Sequence, residues 1–153
     1  GLSYRLEPSP WGRLSFENQI SYYSKYTKAQ APGTPQLSYL GLMDQPRYRN
    51  VFNVTYDYGS MSVTTFIRTM GGFLDTQEPT EVTATTTSVP SFTTMDLQFG
   101  YADLVSKGSK FSMGVKNVLN RKPAQTDNDN NAGFPTSQSA LGRFAYVNFS
   151  VPF

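Results

Sequence analysis

Three groups of residues in this chain have types and spacings that can do chemistry. The run Asp127-Asn128-Asp129-Asn130-Asn131 offers the oxygen ligands that Ca²⁺ favours. It lacks the glycine and the distal glutamate of a helix–loop–helix calcium loop, and Asn/Asp tracts are ordinary in exposed turns. It reads as a solvated loop, and no metal site is assigned. Asp75, Glu78 and Glu81 are close enough along the chain to pair as general acid and base. The sequence sets no nucleophile against them and no apolar surroundings that would bury them, so no catalytic residue and no enzymatic activity is expected. The third group is suited to binding. Lys25, Arg49 and Arg68 are candidates for a ligand-conduction path, and Tyr39 and Phe134 for an aromatic ligand platform.

Composition narrows the chemistry further. The 153 residues contain no Cys and no His, which removes disulfide scaffolds, thiol chemistry, Cys/His zinc sites and any mechanism with a histidine base. No cofactor is expected. A net charge of +2 is too small to imply a nucleic-acid partner. Only 16% of the residues are charged and only 38% are hydrophobic, both low for a soluble domain. Thr, Ser, Asn, Gln, Tyr and Phe fill the gap, a composition that favours strands.

The elements that position the candidates follow from period-two alternation. Over residues 13–26 the even positions are Leu14, Phe16, Asn18, Ile20, Tyr22, Ser24 and Tyr26, against Arg13, Ser15, Glu17, Gln19, Ser21, Tyr23 and Lys25. One face is mostly apolar and the other mostly polar, as in a strand. The pattern recurs over 48–58, 61–73, 95–101, 111–119 and 147–153, with Val51, Phe66 and Val118 as exceptions on the polar side. With a stub at 2–6, this predicts six to seven antiparallel strands. Several reach the roughly 9–11 residues that a tilted transmembrane strand needs, whereas soluble strands average about 5–6. No apolar run approaches the roughly 20 residues of a transmembrane helix, and no signal peptide opens the chain.

The connections alternate short and long: 7–12, 27–45, 59–60, 75–90, 104–109 and 121–139. Tight turns alternating with long loops are the plan of outer-membrane barrels. In such a barrel Arg13, Glu17, Lys25, Arg49, Asp57, Arg68, Asp96 and Lys116 point into a polar lumen. Lys25, Arg49 and Arg68 then lie nearest the extracellular end. Tyr22, Tyr23, Tyr26, Tyr39, Tyr48, Tyr56, Tyr58, Tyr101, Tyr146 and Trp11 cluster near strand ends, as an interfacial aromatic girdle does, with Tyr39 open between girdle and ligand platform.

The last third of the chain adds a resemblance. The segments Val89-Pro90-Ser91-Phe92-Thr93-Thr94-Met95-Asp96-Leu97-Gln98-Phe99-Gly100-Tyr101, Phe111-Ser112-Met113-Gly114-Val115-Lys116-Asn117-Val118-Leu119-Asn120-Arg121-Lys122-Pro123 and Gly142-Arg143-Phe144-Ala145-Tyr146-Val147-Asn148-Phe149-Ser150-Val151-Pro152-Phe153 resemble the last three strands of TonB-dependent outer-membrane receptors. The resemblance includes an Asn-x-x-Asn/Asp-x-x-Pro ending and a Gly-Arg before the closing strand. It implies a 22-stranded transmembrane β-barrel filled by an N-terminal plug, and TonB-powered import of a scarce, bulky ligand such as a siderophore, cobalamin, glycan or peptide. It further implies that Phe149, Val151 and Phe153 form the signal read by the barrel assembly machinery, with the C-terminus in the periplasm of a Gram-negative bacterium. Residues 1–153 would be the C-terminal part of that barrel, set in lipid and lipopolysaccharide. The plug and N-terminal strands, through which TonB would act, would lie in the remainder of the receptor.

Two rival expectations are a complete small outer-membrane barrel with a structural or adhesive role, and a soluble β-sandwich or lipocalin-like binder. The first requires the first and last strands to pair. The second requires polar outward faces, whereas Phe16, Phe52 and Phe99 recur opposite the charges.

Overall fold

The computed structural model describes residues 1–126, 135 and 137–152. In chain order the strands are β1 (Leu2–Arg5), β2 (Arg13–Tyr22), β3 (Thr27–Ala29), β4 (Gln36–Ser38), β5 (Tyr48–Tyr58), β6 (Met61–Met70), β7 (Phe73–Leu74), β8 (Ser88–Val89), β9 (Phe92–Ala102), β10 (Lys110–Lys116) and β11 (Phe144–Ser150). A single 3₁₀ turn, Pro79–Glu81, is the one helical element among the described residues. The protein is all-β. Seven strands form one antiparallel meander in the order β1-β2-β5-β6-β9-β10-β11, and β3-β4 and β7-β8 are separate two-stranded ribbons. Strands β1 and β11 occupy opposite edges and do not pair with each other, so the described residues form an open sheet rather than a closed barrel.

Local chemistry explains the short turns. Gly59, at φ 57°, starts the two-residue turn between β5 and β6, where an L side chain would be strained. Between β9 and β10, Asp103 accepts the Gly108 N–H on Oδ1 at 2.6 Å, and buried Ser109 accepts the N–H groups of Val105 and Ser106. These bonds satisfy backbone groups that the turn removes from the ladder.

The alternation of short and long connections is present, but the long ones carry structure of their own. The first holds the β3-β4 ribbon and the second the β7-β8 ribbon. Strands β2, β6 and β10 end earlier than the alternation suggested, whereas β5 keeps its range, β9 is longer and β11 begins three residues sooner. The main ladder ends at Tyr22, with Tyr23 N–H donating to Arg47 O as its last rung, so Lys25 lies beyond the strand. Likewise β6 stops at Met70 before Gly71-Gly72, and Val118 falls in the turn after β10. Alternation alone cannot locate these ends, because turn residues of the right parity extend the pattern past the last paired rung.

The described parts of the three long connections lie at the same end of the sheet and pack together there. Leu74 N–H donates to Gly41 O at 2.8 Å, and Met43 N–H to Thr76 O at 3.0 Å, which joins the first connection to the second. Ser137 N–H donates to Asp44 Oδ1 at 3.2 Å, which brings in the third. Under these links Met43, Met70, Phe73 and Val89 form a small buried cluster, flanked by Phe92 and Ala124. This cap holds the buried apolar residues; of the apolar side chains in the seven sheet strands only Met70, the last residue of β6, is buried, at the cap end.

Candidate functional site

Strand register divides the sheet into two chemically different faces. Arg13 stands opposite Asp57, Asp57 opposite Ser62, Ser62 opposite Gly100, Gly100 opposite Ser112 and Ser112 opposite Asn148. These residues therefore share one face. Applied to every rung, the same register puts Arg5, Arg13, Glu17, Arg49, Asp57, Arg68, Asp96, Lys110 and Lys116 on it. Those are all the charged residues of the seven sheet strands. The opposite face carries none. Val51 and Phe66 are on the charged face, as their parity implied.

The uncharged face is layered. At the short-turn end Tyr58, Met61, Tyr101, Phe111 and Phe149 are successive partners along one rung. The next rung reads Leu14, Tyr56, Val63, Phe99, Met113 and Val147. At the long-connection end Tyr22 pairs with Tyr48. Aromatic residues thus bracket a band dominated by aliphatic ones. Many of these side chains are open to the surroundings: Ile20 is 59% exposed, Phe149 52% and Val147 66%. The chain exposes 10466 Å², against about 7,700 Å² for a compact monomer of its mass.

The charged face is the hollowed one. A recess of about 690 Å³ runs past Arg5, Glu17, Asn53 and Asp57, and another of about 490 Å³ past Arg68, Asp96, Lys116, Phe144 and Tyr146. In the second, Arg68 donates to Asp96 Oδ2, and the Asp96 Oδ1 accepts the Asn117 N–H at 2.9 Å. The Arg68 guanidinium also lies over the Phe66 ring, 5.4 Å from its centroid. Lys116 Nζ sits 5.6 Å from the Phe144 centroid and 6.0 Å from that of Tyr146, within cation–π range. Tyr146 Oη donates to Gln98 Oε1 at 3.1 Å.

The Asn117–Asn120 turn has its own logic. Both residues adopt left-handed φ, near 51° and 52°, which asparagine tolerates. The Asn117 side chain brackets Arg121, accepting its N–H and donating to its carbonyl. Asn120 Oδ1 accepts the Arg143 N–H at 3.0 Å, which ties the turn to the start of β11. The Asn-x-x-Asn and Gly-Arg features singled out in the sequence meet at this point.

Among the candidate binding residues, Arg49 and Arg68 are on the charged face near the long-connection end, on neighbouring rungs. Arg49 donates to the Asp44 carbonyl at 3.2 Å. Lys25 is exposed in the link between β2 and β3. Tyr39 lies in the cap, edge-on to Tyr26 with centroids 6.5 Å apart, and its hydroxyl donates to Glu78 Oε2 at 3.2 Å. The structure brings these four to one end of the molecule but not into one pocket. Phe134 lies outside the described residues, as do Phe153 and the 127–131 run. Phe149 is on the uncharged face, and Val151 follows the end of β11.

Two groupings were not visible in the sequence. Lys28 Nζ sits 5.0 Å from the Tyr26 centroid and 5.5 Å from that of Tyr39, and Gln30 donates to the same Glu78 oxygen at 2.8 Å. A hydrogen bond and charge interaction with Tyr26 raise the Lys28 pKa above the ordinary lysine value; desolvation opposes them, and Tyr39 and Glu78 add lesser upward contributions. The other grouping is Lys116 with Phe144 and Tyr146. In the first, Tyr26, Lys28, Gln30 and Tyr39 share one connection and only Glu78 comes from another; in the second, Lys116 and the two rings come from different strands. Of the Asp75, Glu78 and Glu81 group, Asp75 and Glu81 line one threonine-rich recess of about 270 Å³, and Glu78 turns away from it. Asp75 is buried, contrary to expectation, Glu78 turns to Tyr39 and Gln30, and Glu81 accepts from Thr76 Oγ1 at 3.4 Å. Among the described residues, no group of three or more Asp or Glu is arranged to hold a metal ion. No helix among them is long and apolar enough to cross a membrane, a criterion that does not bear on strands.

No family model, curated protein or solved structure matches this chain.

Proposed function

We propose that this chain is a wall segment of a TonB-dependent receptor in the outer membrane of a Gram-negative bacterium. Its seven strands would be part of a larger antiparallel barrel, closed at 22 strands by the remainder of the receptor. The observation that carries the reading is the partition of the sheet: nine charged residues on the hollowed face and none on the other. A soluble protein has no reason to keep such a wide, open apolar face free of every charge. A barrel wall requires it, since a charge at the bilayer midplane costs about 2–4 kcal/mol.

Dimensions support the same reading. The rungs of Tyr48 and Tyr58 are ten residues apart, or about 33 Å along the strand at ~3.3 Å per residue. Tilted by ~40°, that becomes about 25 Å, the height of the apolar band in outer-membrane barrels. Strands β2, β5, β6 and β9 have 10 or 11 residues each. Edge strands β1 and β11 offer backbone groups for further strands, which lipid would leave unsatisfied. The three segments that resemble the receptor family are the adjacent strands β9, β10 and β11.

In this reading the uncharged face meets lipid and lipopolysaccharide, the charged face lines the lumen and the cap faces outward. The C-terminus is periplasmic, where Phe149, Val151 and Phe153 serve barrel assembly. Tyr39 and Phe134 in the long connections contribute to ligand selection, and Lys25, Arg49 and Arg68 to its passage. The ligand is a bulky nutrient of the siderophore, cobalamin, glycan or peptide class. The plug and its TonB contact belong to the remainder of the receptor.

Fractionation of cells producing the protein from its whole gene tests the proposal. It should sediment with the outer membrane, need detergent for release and carry a plug domain upstream of Gly1. Recovery of residues 1–153 as a stable, water-soluble monomer would overturn it.

A further inference from the structure

A recess of about 380 Å³ opens at the long-connection end and shares no residue with the two hollows of the charged face. It lies between the start of β9, the turn after β10 and the third long connection. Arg121, Lys122, Asn120 and Gln138 bring hydrogen-bond donors to it, Phe92 and Leu119 bring apolar surface, and no carboxylate lines it. Neither cation has an ion-pair partner among the described residues. Asn117 holds Arg121 by its backbone N–H and carbonyl, so the guanidinium is left for other partners. Gln138 is only 3% exposed. Its Oε1 accepts the Ala124 N–H at 3.1 Å, whereas its Nε2 has no hydrogen-bond partner. A buried amide donor without an acceptor is costly and rare.

We infer that this recess binds a small carboxylic acid with an apolar body. The carboxylate meets Arg121, Lys122 and the Gln138 amide, and the body lies against Phe92 and Leu119. Three observations select this ligand. The lining is all donor and no acid, so it takes an acceptor that carries negative charge. A guanidinium and a primary amide are both planar donors, which match the planar carboxylate, and the orphaned Gln138 N–H gains an acceptor when one enters. Apolar surface stands directly beside the cations, which inorganic phosphate has no means to use. The volume lies at the small end of ligand pockets, about 300–1,000 Å³, and so suits a small molecule. Within the receptor reading this narrows the ligand to one that bears a carboxylate, and the recess itself stands without that reading.

Binding of benzoate to the protein produced from its whole gene, followed by ligand-observed NMR, tests it. Benzamide serves as the uncharged isostere and inorganic phosphate as the anion without an apolar body. Benzoate should bind about tenfold or more tightly than either. Arg121→Gln keeps the backbone bonds to Asn117, and Lys122 is exposed, so neither Arg121→Gln nor Lys122→Gln disturbs the fold. Each should weaken benzoate about five- to tenfold and leave benzamide unchanged. Lys107→Gln, in the turn between β9 and β10 at the other end of the sheet, should change nothing. Benzoate binding no tighter than benzamide or phosphate, or weakened equally by Lys107→Gln, overturns the inference. Membrane fractionation decides the receptor reading separately. Benzoate held at this recess by a water-soluble protein would uphold the site and sink the membrane role.

Discussion

Arg68 reaches Asp96 on a diagonal. The direct partner of Arg68 on β9 is Thr94 and that of Asp96 on β6 is Phe66, so the ion pair crosses one strand gap and one rung. Asp96 gives its other oxygen to the Asn117 N–H. One half-enclosed carboxylate thus ties β6, β9 and the turn after β10 together, with 12% of its side chain exposed against 47% for Arg68.

Asp96→Asn keeps the shape and removes the charge. The expected loss is about 1–2 kcal/mol, since Asp96 is largely enclosed but its partner is half in solvent. Urea denaturation in detergent measures it, and an unchanged midpoint would show that the diagonal pair contributes nothing. Asn117→Ala should cost about 1–3 kcal/mol, because it removes both bonds to Arg121 and sets alanine at a left-handed φ.

The two faces should respond oppositely to a new charge. Met113 and Ser112 are neighbours on β10 but belong to different faces. If lipid covers the uncharged face, Met113→Arg costs about 2–4 kcal/mol and blocks membrane insertion, while Ser112→Arg is tolerated. Equal tolerance of both in an insertion assay would argue against lipid contact.

Gly114 is a steric requirement. A Cβ there would lie 2.7 Å from the Leu97 carbonyl oxygen and 2.8 Å from the Tyr146 ring, and the carbonyl belongs to the ladder and cannot move aside. Gly114→Ala should destabilise the β9–β10–β11 unit by about 1–3 kcal/mol, the cost of forced overpacking. Equilibrium unfolding monitored by tyrosine fluorescence measures this, and a neutral result would mean the strands sit farther apart.

The cap should open without the sheet. Phe73 is 4% exposed and lies in the Met43–Met70–Val89 cluster, which meets the main ladder only at its last rung, Met70 and Phe92. Phe73→Ala should cost about 3–5 kcal/mol locally. Limited proteolysis is then expected to cut faster in the first two long connections, with strand protection in hydrogen exchange unchanged. Simultaneous loss of strand protection would show the cap and sheet to be one cooperative unit.

Lys28 gives a pH signature. Its pKa is raised in the folded cap, so its contribution is present at and below the ordinary lysine pKa and is lost as pH rises through the higher folded value. Neutral and acidic pH should leave this contact intact. The ¹³Cε resonance of Lys28 should titrate at higher pH than in the Tyr26→Phe variant, since the Tyr26 hydroxyl is the largest cause of the shift. Identical midpoints would remove Tyr26 from that role.

The long strands, the short turns and the side of seven of the nine strand charges, all but Arg5 and Lys110, were legible in the sequence. All three follow from local rules: side chains alternate across a pleated strand, and turns need Gly59, Asp103 or Gly108 at defined positions. Once 13–22 is a strand, Arg13 and Glu17 must share a face, whatever lies beside them. Strand ends were less legible, because Lys25 and Leu119 continue the alternation after the ladder has stopped.

Only the tertiary structure decided which residues meet. Lys116 finds Phe144 through the β10–β11 register, and Tyr39 finds Glu78 because two long connections fold over one buried cluster. Asp75 becomes buried for the same reason. A contact between distant segments depends on register and packing, which no local pattern encodes, whereas the face a strand residue occupies depends only on the parity of its position.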